Sequence, residues 1–178
     1  MEPELYREPE VVFHPRRLSE NEYAHAIEGM IVVCVDVLFC DQATKSLYLL
    51  KRKAKPWSDW WFVGGRLLPG EDARVGMVRK IQSEIGLLLS EERLHFVSMN
   101  RYFFKERNQI PHNIGSDSLA YLFSVNLTQE EATLANTQID PNEYESDVGF
   151  QKFSFKEIQS LGVHPAIFDA YKRIFSHE

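Results

Sequence analysis

The sequence predicts an α/β protein, an α/β/α sandwich around a mixed β-sheet, and three observations carry that prediction. Met30 to Phe39, MIVVCVDVLF, is almost continuously apolar and β-branched yet too short for a buried helix, so it reads as a central strand. Gly64, Gly65, Pro69 and Gly70 then break the chain, and from Asp72 to Ile85 the apolar residues Val75, Val78, Ile81 and Ile85 are spaced to face a core from a helix. Further strand-like runs follow and a helical region closes the chain, which puts helices between and after strands in a mixed order.

Residues 1–17 are polar and charged and read as an arm laid over the body. Leu18 to Glu28 reads as a helix, with Ser19 able to cap its start, Asn21 and Glu22 in the first turn, and Tyr23, Ala26 and Ile27 sharing a side. After the central strand, Asp41 to Lys45 is a turn and Ser46 to Lys51 the partner strand of a hairpin. Trp60 to Val63 is a short aromatic strand ahead of the glycine-rich loop, and Gly86 ends the helix that begins at Asp72. His95 to Phe104 and Leu119 to Asn126 read as two more strands, joined by the polar loop Lys105 to Ser118. Thr128 to Asp147 is a polar stretch, and the closing helical region starts at Phe155 and is interrupted near Gly162 and Pro165.

With 178 residues and 44% hydrophobic content, the chain can bury one sizeable core and is short for two, so residues 1–178 are expected to form one domain. No stretch approaches the roughly 20 apolar residues that a membrane crossing needs, and MEPELYREPE lacks the features of a secretion signal, which points to a soluble, cytoplasmic protein. Cys34 and Cys40 form no CxxC or His-spaced set and read as reduced core thiols. A net charge of -6 argues against nucleic acid or an anionic membrane as partner. Local charge differs: Lys51, Arg52, Lys53 and Lys55 cluster, and Arg66 follows, so a small anion can find a basic pocket.

The loop and helix from Gly65 bring two glycines, a basic side chain and a helix start together, and such a turn can offer N–H donors to phosphate or a carbonyl to a metal. The spacing that follows is more specific. Gly65 is followed after five residues by Glu71, and after seven more by Arg79-Lys80-Ile81-Gln82-Ser83-Glu84-Ile85-Gly86-Leu87. This string resembles the Nudix box, departing from it at Lys80 and Ser83, where the family usually has metal-binding glutamates. Positions 80 and 84 lie one turn apart on one helix face, so Lys80 is expected near the Glu84 carboxylate, and Lys80, Ser83 and Glu84 together carry no net charge. A cluster of several metal ions is therefore not expected. One magnesium ion, or manganese in its place, remains reasonable, with Glu84 and the Gly64 or Gly65 carbonyl as ligands.

The GDP-mannose mannosyl hydrolases also lack two of the box glutamates, and the chain is similar to that subfamily outside the box. Lys51-Arg52, Pro56, Trp61-Phe62-Val63 and Gly64-Gly65-Arg66 resemble its Lys-Arg, Pro and Trp-Phe-Val-Pro-Gly-Gly-Arg, with one proline missing. Gly115-Ser116-Asp117 and Tyr121 look like its Gly-Thr-Asp and following Tyr. The resemblance implies a Nudix-type sandwich and hydrolysis of a nucleoside diphosphate sugar by water attack at the anomeric carbon. It implies that Arg52 and Arg66 neutralise the departing diphosphate, that Trp61 and an aromatic at the Tyr102-Phe103 position contact substrate, and that Glu71, Arg79 and Gly86 hold the box together. The subfamily's late-loop histidine falls on Asp147, its neighbouring glutamine on Ser146, and Glu145 precedes them, so Asp147 or Glu145 stands as the expected base.

Each of these residues also has an ordinary reading. Arg52 among lysines can be a solvated strand end, Arg66 a loop charge, Glu84 half of a surface pair, and Trp57, Trp60 and Trp61 core packing. His112 is a second candidate base or a plain loop histidine. Three functions stay open: a nucleotide-sugar hydrolase, a pyrophosphohydrolase attacking phosphorus in another nucleoside diphosphate compound, and a nucleotide-binding module without turnover. The apolar, tryptophan-bearing N-terminal half is compatible with a homodimer.

Overall fold

A computed structural model describes residues 2–175. Its first helix, α1 (Glu20–Gly29), is opened by a capping box in which Ser19 and Glu22 satisfy each other's backbone donors. The central strand is β1 (Val32–Asp41), followed by β2 (Ser46–Lys51), β3 (Trp60–Trp61) and β4 (Val63–Arg66). The helix α2 (Ala73–Ile85) starts on an Asp72 cap and stops at Gly86, whose left-handed backbone (φ 69°) returns its N–H to the Gln82 carbonyl. Strands β5 (His95–Phe104) and β6 (Ser116–Asn126), helix α3 (Gln129–Asn136), strand β7 (Gln151–Phe153) and helices α4 (Phe155–Leu161) and α5 (Pro165–Phe175) complete the order.

The strand order β3-β2-β1-β6-β5 makes a mixed sheet: β1 runs parallel to β6 and antiparallel to its partners on the other side. Those partners divide the strand. Cys34 to Val37 pair with β4, while Phe39 to Asp41 pair with β2, and the diglycine turn is thereby stitched against Val35 and Asp36. The two-residue period of β1 then sorts its side chains. Val35, Val37 and Phe39 join a core with Met77, Ile81 and Ile85 of α2. Leu38 and Cys40 join a second core with Ile158 of α4 and Ile167 and Ala170 of α5. Helices on both faces of a mixed sheet match the fold class expected from the sequence.

Two elements lie where the sequence showed only polarity or a helix lead. Within the stretch Thr128 to Asp147, α3 forms on a capping box of Thr128 and Glu131 and buries only Ala132 and Ala135. Strand β7 adds three residues beside β2. The arm crosses the glycine-rich loop: Arg7 donates to the Gly70 carbonyl at 3.1 Å, and Glu2 pairs with Arg74 at 2.6 Å. Among the described residues, no helix is long and apolar enough to cross a membrane.

Candidate active site

A cleft of about 250 Å³ opens where β1, β4 and the cleft side of α2 meet α1 and the loop after β5. Its floor is the even-numbered side of β1, Cys34 and Asp36, beyond which the same face becomes the second core. Asp36 is buried and lies beside the diglycine turn. A Cβ on Gly64 would stand 2.2 Å from the Val35 carbonyl oxygen and 2.3 Å from Asp36 Oδ1, so only glycine allows this approach. Burial pushes the Asp36 carboxyl up to about 7, with Arg52 pulling the other way and Glu84 adding to the rise. Burial, reinforced by Asp36, also pushes the Cys34 thiol up to about 12, so it lines the cleft as a neutral thiol.

The basic side chains come from different elements. Arg52 follows β2, lines the cleft and donates to Glu143 Oε2 at 3.1 Å, while its buried Nε has no partner among the described residues. Arg66, at the end of β4, lines the cleft with its guanidinium carbon 4.7 Å from the Tyr23 ring centroid of α1. Lys80 reaches in from α2: its Nζ would lie 3.2 Å from a Cβ on Gly65. Lys80 and Glu84 form an ion pair one helical turn apart, and the Tyr144 hydroxyl donates to the other Glu84 oxygen. Burial and the Glu84 carboxylate push the Tyr144 phenol well above its ordinary value, which keeps it a donor. Glu84 thus sits beside the turn at 3% exposure in a polar cluster, facing the cleft and not the apolar interior.

The box residues Glu71 and Arg79 form a clip. Arg79 donates to both Glu71 oxygens at 2.6 and 2.8 Å and to the Arg66 carbonyl at 3.2 Å, while Leu68 N–H donates to Glu71 at 2.9 Å. The loop carrying Arg66 is therefore tied to the helix carrying Lys80 and Glu84.

The structure brings Arg52, Gly64, Gly65, Arg66 and Glu84 together at one cleft and leaves other expected residues outside it. Asp147 is exposed, and Glu145 pairs with Lys51 at 3.4 Å; neither lines the cleft. The reason is the bridge between Arg52 and Tyr144, which brings Glu143 and Tyr144 to the site, after which the chain turns away, with Val148 N–H on the Glu145 carbonyl at 3.0 Å. Tyr102 lines the cleft, but Phe103 alternates to the other face and is 76% exposed. Trp61 borders the cleft from an aromatic cluster with Trp57, Tyr102 and His164, and Trp60 packs on Phe153. His112 is exposed, its Nδ1 3.3 Å from the Arg107 carbonyl. The acids that sequence reading missed are Asp36, hidden in an apolar run, and Glu143; the buried Arg107 was missed too.

The donor set does not fit the metal that the sequence implies. Both Glu84 oxygens are engaged, one by a cation and one by a hydroxyl donor, and among the described residues no group of three or more acid, histidine or cysteine side chains is placed to hold an ion. What the arrangement can do is bind an anion: three cationic side chains converge beside backbone that only glycine permits, with a near-neutral carboxyl on the floor.

Comparison with known proteins agrees with the fold. The NUDIX domain family matches residues 30–174. Comparison with curated proteins gives no significant match. Among solved structures, the MutT NUDIX hydrolase from Burkholderia pseudomallei is similar at a TM-score of 0.59 and 15% identity, over 82% of this chain and 98% of that one. The NUDIX domain of Shewanella oneidensis NrtR, complexed with ADP ribose, is similar at 0.58 and 11%, over 88% and 99%. The E. coli dihydroneopterin triphosphate pyrophosphohydrolase is similar at 0.57 and 14%, over 84% and 100%. At these identities the likeness shows the fold. The family match covers most of the chain, including the whole glycine turn and box helix, and by it the chain belongs to the Nudix family.

Proposed function

We propose that this Nudix protein is a hydrolase of a nucleoside diphosphate compound, a nucleoside diphosphate sugar of the GDP-mannose kind, releasing the sugar and the nucleoside diphosphate. The observation that carries this reading is the buried, unpartnered Nε of Arg52 beside Arg66 and Lys80. A buried donor without an acceptor is costly, and a phosphate oxygen is the acceptor that a guanidinium fork fits best. Once the bond to the sugar breaks, the diphosphate gains negative charge, and Arg52 and Arg66 are placed to take it up. Asp36, with its carboxyl near neutrality on the cleft floor, replaces Asp147 and Glu145 in this reading as the group that accepts a proton from the attacking water. That the Shewanella domain binds ADP ribose, itself a nucleoside diphosphate sugar, supports the substrate class.

Nudix hydrolases generally use divalent metals. The single magnesium or manganese ion expected from the sequence has no step in the present scheme, because Glu84 is already engaged. The test is a panel of GDP-, UDP- and ADP-sugars with the purified protein, reading release of nucleoside diphosphate. Turnover that Asp36→Asn abolishes is expected; no release from any member rejects the reading. Isotopically labelled water separates attack at carbon, which labels the sugar, from a pyrophosphohydrolase reaction, which labels phosphate.

A second reading, nucleotide binding without turnover, is favoured by the closed state of Glu84, and tight binding of intact substrates in the same panel would select it. The homodimer belongs to the proposal as well: Met30, Ile31 and Val33 are 63, 46 and 39% exposed at the start of the central strand, and light scattering after size exclusion tests it.

A further inference from the structure

We infer that the Lys80 ammonium is a built-in cation that binds the diphosphate where relatives would use a divalent metal, so that the cleft takes nucleoside diphosphates with no metal present. The inference rests on reading the cleft as a diphosphate site and names what neutralises the phosphates there.

Position is the first argument. Lys80 occupies the cleft side of α2 one turn from Glu84, and its Nζ lies against the diglycine turn, within 3.2 Å of where a Gly65 Cβ would stand. The ammonium therefore sits between the buried carboxylate and the diglycine turn, on the wall of the cleft. Its side chain is 20% exposed against 4% for Glu84, so the cation is the member of the pair that a ligand meets. An ammonium carries three donors, and among the described residues Glu84 takes one.

The second argument is the state of Glu84. One oxygen faces Lys80 and the other accepts from the Tyr144 hydroxyl. A divalent ion on this carboxylate would lie within a few ångströms of the Lys80 ammonium, a like charge, in a half-dry site, where repulsion is far stronger than in water. The third argument is the charge already present. Arg52 has one carboxylate partner, Glu143, and Arg66 has none among the described residues, so two guanidinium groups and the ammonium face the cleft. Against these stand Glu84 and Glu143, so the set keeps a net positive charge, which favours an anionic ligand.

Calorimetric titration of the whole protein with GDP, ADP and inorganic pyrophosphate, in excess EDTA and then in excess magnesium, tests this. The expected result is binding in EDTA with a Kd no weaker than in magnesium. Lys80→Gln should weaken binding in EDTA by about tenfold or more, the scale of one lost charge-assisted contact. Because that variant strands a buried carboxylate, Lys80→Gln/Glu84→Gln is measured beside it and should lose the same affinity, with thermal melts confirming that both fold. Binding that appears only with magnesium, or full affinity in EDTA without Lys80, overturns the inference and leaves the nucleotide reading standing. Pyrophosphate binding in EDTA with neither nucleotide bound, or no binding in either condition, overturns both.

Discussion

Asp36 occupies a place on β1 from which Leu38 and Cys40, farther along the same face, join the second core. The carboxyl is held at about 7 against an ordinary 3.8 chiefly by burial, which has a consequence for stability. Above the ordinary value the unfolded chain releases this proton while the folded protein keeps it, so ionisation favours unfolding progressively until the folded group also titrates. Stability should therefore decline from about pH 4 to about pH 7 by up to roughly 4 kcal/mol from this group alone and level off above. Urea denaturation of the wild type and Asp36→Asn across that range checks it: the variant, which cannot ionise, should show a flatter dependence, and parallel curves would refute the assignment. Arg52 gives the second residue-scale prediction. Lysine keeps the charge but loses the planar fork and the orphan Nε, so Arg52→Lys should fold normally and bind a nucleoside diphosphate about 10- to 100-fold more weakly.

At the scale of elements, the glycine-rich loop is held by the pairing of β4 with β1 and by the Glu71–Arg79 clip. Arg79→Ala removes both bonds to Glu71 and the one to the Arg66 carbonyl. It should cost about 1–3 kcal/mol in denaturant unfolding and raise KM through a misplaced Arg66, although residue 79 does not line the cleft. The clip, the diglycine turn and α2 were legible because they are local: periodicity, stop and box spacing all lie between Gly64 and Leu87, although Val75, expected to face the core, is 45% exposed. Strands β2 and β5 were equally plain, their bounds coinciding with the runs Ser46 to Lys51 and His95 to Phe104. Helix α3 was passed over because only two alanines face the core, yet its Thr128-x-x-Glu131 box was a usable signal. The rest of the site was not legible for a physical reason. Glu143 reaches the cleft, and Tyr144 the Glu84 carboxylate, through a bridge to Arg52, a register fixed by folding and absent from local pattern, and Asp36 is one polar residue in a strand otherwise read as core.

Across the whole molecule, the cleft is roofed by a loop anchored at both sides, and Arg107 is its main tie. This guanidinium is 1% exposed and donates to the carbonyls of Ala24 in α1 and of Gln109, Ile110 and Pro111 in the loop, with Glu28 as its ion partner at 2.6 Å. The opposite side is held by Lys55, whose N–H donates to Asn108 Oδ1 at 2.9 Å and whose ammonium pairs with Glu106 at 2.5 Å. The loop thus links α1 to the segment after β2, across the space that Arg52 and Arg66 border. Arg107→Met fills the volume but leaves four carbonyls without their donor, and such a loss in a buried network costs about 3 kcal/mol or more. The damage should be local, because the strands on either side of the loop keep their ladder from His95–Ser124 to Phe104–Ser116. Limited proteolysis should then cut the variant between residues 105 and 115 well before the wild type, while β5 and β6 stay intact. In a substrate assay the same change should raise KM more than it lowers kcat, since Arg107 positions the roof while Arg52, Arg66 and Asp36 meet the reacting groups. A kcat loss with unchanged KM would instead place the Arg107 guanidinium on the substrate.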